Sequence, residues 1–193
     1  MDTQKNLLAR IIEVEKLIKF APEDSFICSY PEFIKYFKNV KHIERHHLII
    51  AANFTYGWMP TMFRFKSSNF EKAIEVLNRA KQENFIDDKD LQCLVNLINN
   101  SIVGASKILH FVNPEHFGIW DSRVYRYLFG NFSMLKLNKF DNYRTYLKDC
   151  QEVIKDFKFA PVHKSINDKI GYQVTPVRAA ELVMFMSGIK QKN

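Results

Sequence analysis

The stretch Ser101-Ile-Val-Gly-Ala-Ser-Lys-Ile-Leu-His-Phe-Val-Asn-Pro-Glu-His-Phe-Gly-Ile-Trp-Asp-Ser-Arg-Val-Tyr-Arg-Tyr-Leu-Phe-Gly130 holds two helical patterns joined by a loop that carries Pro114 and Gly118. Asn99-Asn100-Ser101 is a polar turn ahead of the first helix, with Gly104 in its first turn. Asp121 is placed to cap a second helix, Ser122–Gly130, by accepting the amide hydrogens of Arg123 or Val124. A helix N-terminus exposes amides that bind phosphate, and a glycine there allows close backbone approach. The stretch therefore reads either as an ordinary helical corner or as a surface that joins a carboxylate, amides and basic side chains.

The same periodicity continues outward. Leu7, Leu8, Ile11, Ile12, Val14, Leu17 and Ile18 form one apolar stripe, ended by Ala21-Pro22. Pro31 opens a short helix with Phe33, Ile34 and Phe37, and a third helix is expected from about Lys41 to Asn53. Ser68 or Asn69 caps a fourth, and Asp87 or Asp88 a fifth. A long amphipathic helix is expected from about Asp141 to Phe157, and Thr175-Pro176 starts the last one. Residues 158–174 read as irregular. No strand-period run occurs, so the fold class is all-α, with about eight to ten helices. The whole chain, 1–193, suits one globular helical domain, which could divide into a lobe of 21–130 and a lobe of 1–20 plus 131–193.

Composition sets the outer limits. With 193 residues, 47% hydrophobic and 25% charged, the chain has the balance of a globular protein with ample aromatic material for a core. The net charge of +7 is uneven: residues 101–193 hold 14 Lys and Arg against 8 Asp and Glu, whereas residues 1–100 hold 14 against 13. A basic half suits a polyanion, and DNA is the expected partner. The longest apolar run, Leu48–Ala52, is far too short to cross a bilayer, so no membrane partner is expected. The N-terminus lacks the apolar region of a signal peptide, and Cys28, Cys93 and Cys150 lie far apart without a Cys-x-x-Cys. A cytoplasmic location, reduced thiols and no cofactor follow as expectations.

Val103-Gly104-Ala105-Ser106-Lys107, then Pro114 and Gly118, then Asp121-Ser-Arg-Val-Tyr-Arg-Tyr-Leu-Phe-Gly130 resembles the signature of the helix-hairpin-helix DNA glycosylases. That pattern is a Leu-Pro-Gly-Val-Gly-type hairpin, a helix, a Gly/Pro-rich loop and Val-Asp-Thr-His-Val-x-Arg-Val. The likeness covers about thirty residues. It implies base excision repair: hydrolysis of the N-glycosidic bond of a damaged or modified base. Asp121 corresponds to the catalytic carboxylate, Val103 and Gly104 to the phosphate grip, and Arg126 to the basic residue five positions beyond the aspartate; with Ser106 and Arg123 these make the expected nucleic-acid-binding set. The chain departs from the pattern in having one hairpin glycine and no leading Leu-Pro, a shortened segment before the aspartate, and no four-cysteine cluster. Ser106 stands where lyase-competent members carry a lysine, as in members that only hydrolyse. Lys107, about 100° further around the helix, is the remaining Schiff-base candidate.

Cleaving an N-glycosidic bond builds positive charge on the sugar, which a nearby carboxylate stabilises, and a flipped base needs aromatic walls. Tyr56, Trp58, Phe117 and Trp120 are candidates for those walls or for core packing. Tyr56-Gly-Trp-Met-Pro-Thr-Met62 reads equally as a lid over a pocket, a junction plug or a protein-contact loop. Lys136, Lys139, Arg144, Lys148, Lys155, Lys158, Lys164 and Lys169 form a diffuse basic series, interrupted by aspartates. His42 and His46 stand four apart, with His47 adjacent, but Glu44 would point away from the pair on a continuous helix, so no metal is expected. The alternative to an enzyme is a non-catalytic helical module that binds nucleic acid or protein and uses Asp121 only as a cap.

Overall fold

The computed structural model describes residues 2–58 and 61–188. Among these the chain is all-α; the only extended pairing is an isolated bridge between Phe65 and Ile98. It falls into two compact units, Met1–Pro22 with Gly118–Asn193, and Glu23–Phe117.

The unit of Glu23–Phe117 holds α2 (Ser25–Cys28), α3 (Tyr30–Asn39), α4 (Arg45–Gly57), α5 (Phe70–Ala80), α6 (Asp88–Leu97) and α7 (Ile102–Val112). Pro31 sits in the first turn of α3, where its missing N–H costs nothing. Asn69, Asp87 and Ser101 cap α5, α6 and α7 by accepting the amide hydrogens of Lys72, Asp90 and Gly104. α7 is the buried centre of this unit: every residue from Gly104 to Val112 is buried, and α3, α4, α5 and α6 pack on it.

The third helix begins at Arg45, four residues later than the periodicity places it, and runs on to Gly57. A distant side chain sets that start. Asn78 of α5 accepts from the Ile43 amide at 2.8 Å and donates to the Ile43 carbonyl at 2.9 Å. This holds the chain extended up to Glu44, whose φ of −117° and ψ of 175° are those of an N-cap. Glu44 then closes a capping box with His47, each side chain accepting the other's backbone N–H.

The unit of Met1–Pro22 and Gly118–Asn193 holds α1 (Asp2–Glu15), α8 (Ser122–Phe129), α9 (Met134–Leu137), α10 (Phe140–Lys155), a 3-10 turn (Phe157–Phe159), α11 (Ala160–Ile170) and α12 (Pro176–Ser187). α12 is the hub, packing on α1, α8, α10 and α11, with Val177 to Met184 all buried. Thr175 caps it through the Arg178 amide. Residues 158–174 are mostly helical rather than irregular. Phe159, Val162 and Ile166 supply a buried stripe at helical spacing, Pro161 sits in the first turn, and Gly171 ends α11 at φ 81°. A left-handed C-cap of this kind favours glycine. Leu17, expected in the first apolar stripe, lies beyond the end of α1 and is exposed, whereas Leu7, Leu8, Ile11 and Ile18 are buried.

Candidate functional site

Asp121 has an extended backbone (φ −149°, ψ −179°) and is the N-cap of α8. Its Oδ1 accepts from both the Arg123 amide at 2.9 Å and the Val124 amide at 3.0 Å. Among the described residues no bond reaches Oδ2. Asp121 is half-buried, so two amides fix the carboxylate in direction while one oxygen stays uncommitted. The basic residues after it are already engaged within the unit. The Arg123 guanidinium lies 4.4 Å from the ring centre of Phe185. Arg126 donates from Nε to the Gly188 carbonyl at 2.9 Å and stands 5.7 Å from the Phe132 ring. These bonds hold α8 to the end of α12.

A tight fit keeps the first turn of α8 in place. At Gly188 an added Cβ would lie 2.0 Å from the Arg123 carbonyl oxygen. At Gly118 it would lie 2.3 Å from the Tyr146 hydroxyl. Trp120, next to Asp121, is fully buried; it stacks on Tyr146 with ring centres 5.2 Å apart and donates from Nε1 to the Leu137 carbonyl at 2.9 Å. Behind it lies a buried polar group that sequence periodicity does not reveal. Arg178 and Glu181, one turn apart on α12 and both almost fully buried, form an ion pair. Burial, reinforced by the charge of Glu181, pushes the Tyr146 hydroxyl and the Cys150 thiol far up from their ordinary values, so both are neutral at physiological pH. The available signal was Arg178-x-x-Glu181 at i, i+3 inside an otherwise apolar helix.

At the far end of α8 a groove of about 520 Å³ is lined by Tyr125, Phe129, Asn131, Lys136, Lys139 and Asn142. Phe129 is partly exposed there. Of the basic series, Lys136, Lys139, Lys148, Lys155, Lys158 and Lys164 are exposed, while Lys169 is bound to Glu15.

The other half of the thirty-residue signature lies in the other unit. Gly104 is buried, and its N–H donates to the Ser101 hydroxyl at 3.2 Å. A Cβ on Gly104 would meet the Tyr56 hydroxyl at 2.6 Å and Ile98 Cγ2 at 2.8 Å, so the glycine lets α7 approach α4 closely. Val103 is half-buried, and Ser106 is fully buried and donates to the Val103 carbonyl. Lys107 is buried, with its ammonium 5.9 Å from the Trp58 ring centre. Tyr56 and Phe117 are buried, and Trp58 is half-buried, donating to the Ser29 hydroxyl at 2.7 Å. Met59 and Pro60, the middle of the expected lid or contact loop, lie outside the described residues; Met62 is exposed.

His110, which the sequence did not single out, is fully buried between two partners: Phe117 carbonyl at 2.6 Å from Nδ1 and Tyr30 hydroxyl at 2.9 Å from Nε2. Nδ1 donates to the Phe117 carbonyl, and the ring braces the loop after α7.

Compared with known protein families, with curated proteins and with solved structures, the chain matches none. No helix among the described residues is long and apolar enough to cross a membrane.

Proposed function

We propose that this chain binds DNA and hydrolyses the N-glycosidic bond of a damaged or modified base, with Asp121 as the catalytic carboxylate. One observation carries the reading. Both capping amides fall on Oδ1 of a half-buried Asp121, which aims the side chain and leaves Oδ2 for a second task. Asp87 caps α6 through a single oxygen in the same way, so the Asp121→Asn test is what separates a second task from capping alone. In the reaction the bond from the sugar to the base breaks with its electron pair leaving on the base, and positive charge develops on the sugar. Oδ2 stabilises that charge and accepts a proton from the water whose oxygen forms the new bond; the departing base takes up a proton from solvent, and Asp121 returns its own to solvent. The groove at the end of α8, with aromatic faces and two lysines, supports contact with a nucleic-acid strand by stacking and phosphate pairing. Lys107, buried beside Trp58, is assigned no covalent step.

A second reading, a non-catalytic helical nucleic-acid-binding module, is favoured by Gly104. Its amide is bonded to Ser101, and its missing side chain already has a packing purpose.

Asp121→Asn separates the two, because it keeps an oxygen for the cap and removes the charge. On duplexes carrying a panel of damaged and modified bases, single-turnover base release should fall about 10²–10⁴-fold in Asp121→Asn. Salt-dependent DNA binding should be retained. Equal rates in the two proteins would refute the catalytic role. DNA binding with no base release from any duplex would favour the second reading.

A further inference from the structure

Because Glu44 is an extended N-cap rather than a helical residue, its carboxylate turns back over the start of α4 instead of away from the histidines. Ligand atoms of Glu44, His46 and His47 all lie within 4.8 Å of one another. Glu44 Oε2 and His46 Nδ1 are 3.4 Å apart, and the two imidazole rings are 3.8 Å apart between centres. We infer that Glu44, His46 and His47 form a binding site for a divalent transition-metal ion, with zinc as the reference ion.

The spacing fits the chemistry. Zinc bonds to carboxylate oxygen and imidazole nitrogen are about 2.0–2.2 Å, and a tetrahedral angle between them separates the two ligand atoms by about 3.3–3.5 Å. The Glu44–His46 distance lies inside that window. Two nitrogens and one carboxylate oxygen suit zinc, nickel or copper better than calcium or magnesium, which favour oxygen-rich sites. Glu44 and His46 are exposed and His47 is half-buried, so the ion can reach the site and water can complete its coordination.

Two effects oppose binding. The helix N-terminus repels a cation, which lowers affinity about two- to fivefold at an exposed site. His47 must also release one bond: its Nδ1 accepts the Glu44 amide hydrogen at 3.0 Å. Whether Nδ1 binds the ion directly or takes the ring proton so that Nε2 can bind, that acceptor is lost. The other half of the capping box, the Glu44 carboxylate holding the His47 amide, needs only one carboxylate oxygen and can persist.

The test uses the full chain without a purification tag and Zn²⁺ as the probe, in isothermal titration calorimetry. The expected result is one ion per chain, bound at least about tenfold more weakly by His46→Ala and by Glu44→Gln. Glu44→Gln keeps an amide oxygen for the cap, so it separates ligand loss from loss of the helix start, and circular dichroism of each variant checks the fold. The inference is overturned if the chain takes up no zinc, or if the folded variants bind it as tightly as the parent.

Discussion

Replacing Gly188 by alanine should force the end of α12 away from α8. The new methyl would stand 2.0 Å from the Arg123 carbonyl oxygen, 2.5 Å from its carbon and 2.9 Å from its Cα. All three are backbone atoms of the first turn of α8, so no rotamer change relieves the contact, and one helix must shift by about 1 Å to restore ordinary van der Waals spacing. Overpacking of well-packed sites costs about 1–3 kcal/mol, and a methyl driven into backbone atoms that cannot change rotamer belongs in the upper half of that range. For a chain of this length, about 2–3 kcal/mol corresponds to a fall of about 4–12 °C in melting temperature. The same shift disturbs the amides of Arg123 and Val124 that hold Asp121. Gly57→Ala is the matched control, since nothing lies within 4 Å of its new methyl. That change should be neutral or stabilising by up to about 1 kcal/mol. Both proteins would be melted side by side by circular dichroism. A Gly188→Ala melting temperature within about 1 °C of the parent would refute the packing argument.

Two other substitutions test buried features. Gly104→Ala should cost about 1–3 kcal/mol by driving a methyl against Tyr56 and Ile98, read as a lowered denaturant midpoint with an unchanged slope. An unaltered midpoint would show that α7 and α4 do not approach that closely. Glu181→Ala should cost about 3–5 kcal/mol by leaving the Arg178 charge in the core, and a loss below about 1 kcal/mol in urea unfolding would mean the pair is hydrated.

Local chemistry was legible residue by residue. Asp121 and Thr175 cap the helices assigned to them, Asn69 and Asp87 are the caps out of the pairs Ser68/Asn69 and Asp87/Asp88, and Ser101, the last residue of the polar turn, caps α7; a cap bond spans only two or three residues. α11 was also legible in principle: Pro161 near its start and Gly171 just past its end bracket an apolar stripe, though each residue alone reads as a loop signal. The start of α4 was not, because Asn78 determines it from 35 residues away. That distant clamp also decides which way Glu44 points.

Sequence by itself determined the all-α class, the caps and the half-helical corner that presents Asp121, since these depend on periodicity and on bonds between near neighbours. Tertiary structure decided what surrounds them. It showed that Gly104, Gly118 and Gly188 are contact points at which another side chain or backbone comes within bonding reach of a missing Cβ. It also buried Arg178 with Glu181 and gathered Glu44, His46 and His47. Both groups are close in sequence, but their burial and orientation are set by segments remote in sequence, as Asn78 sets the start of α4 from 35 residues away.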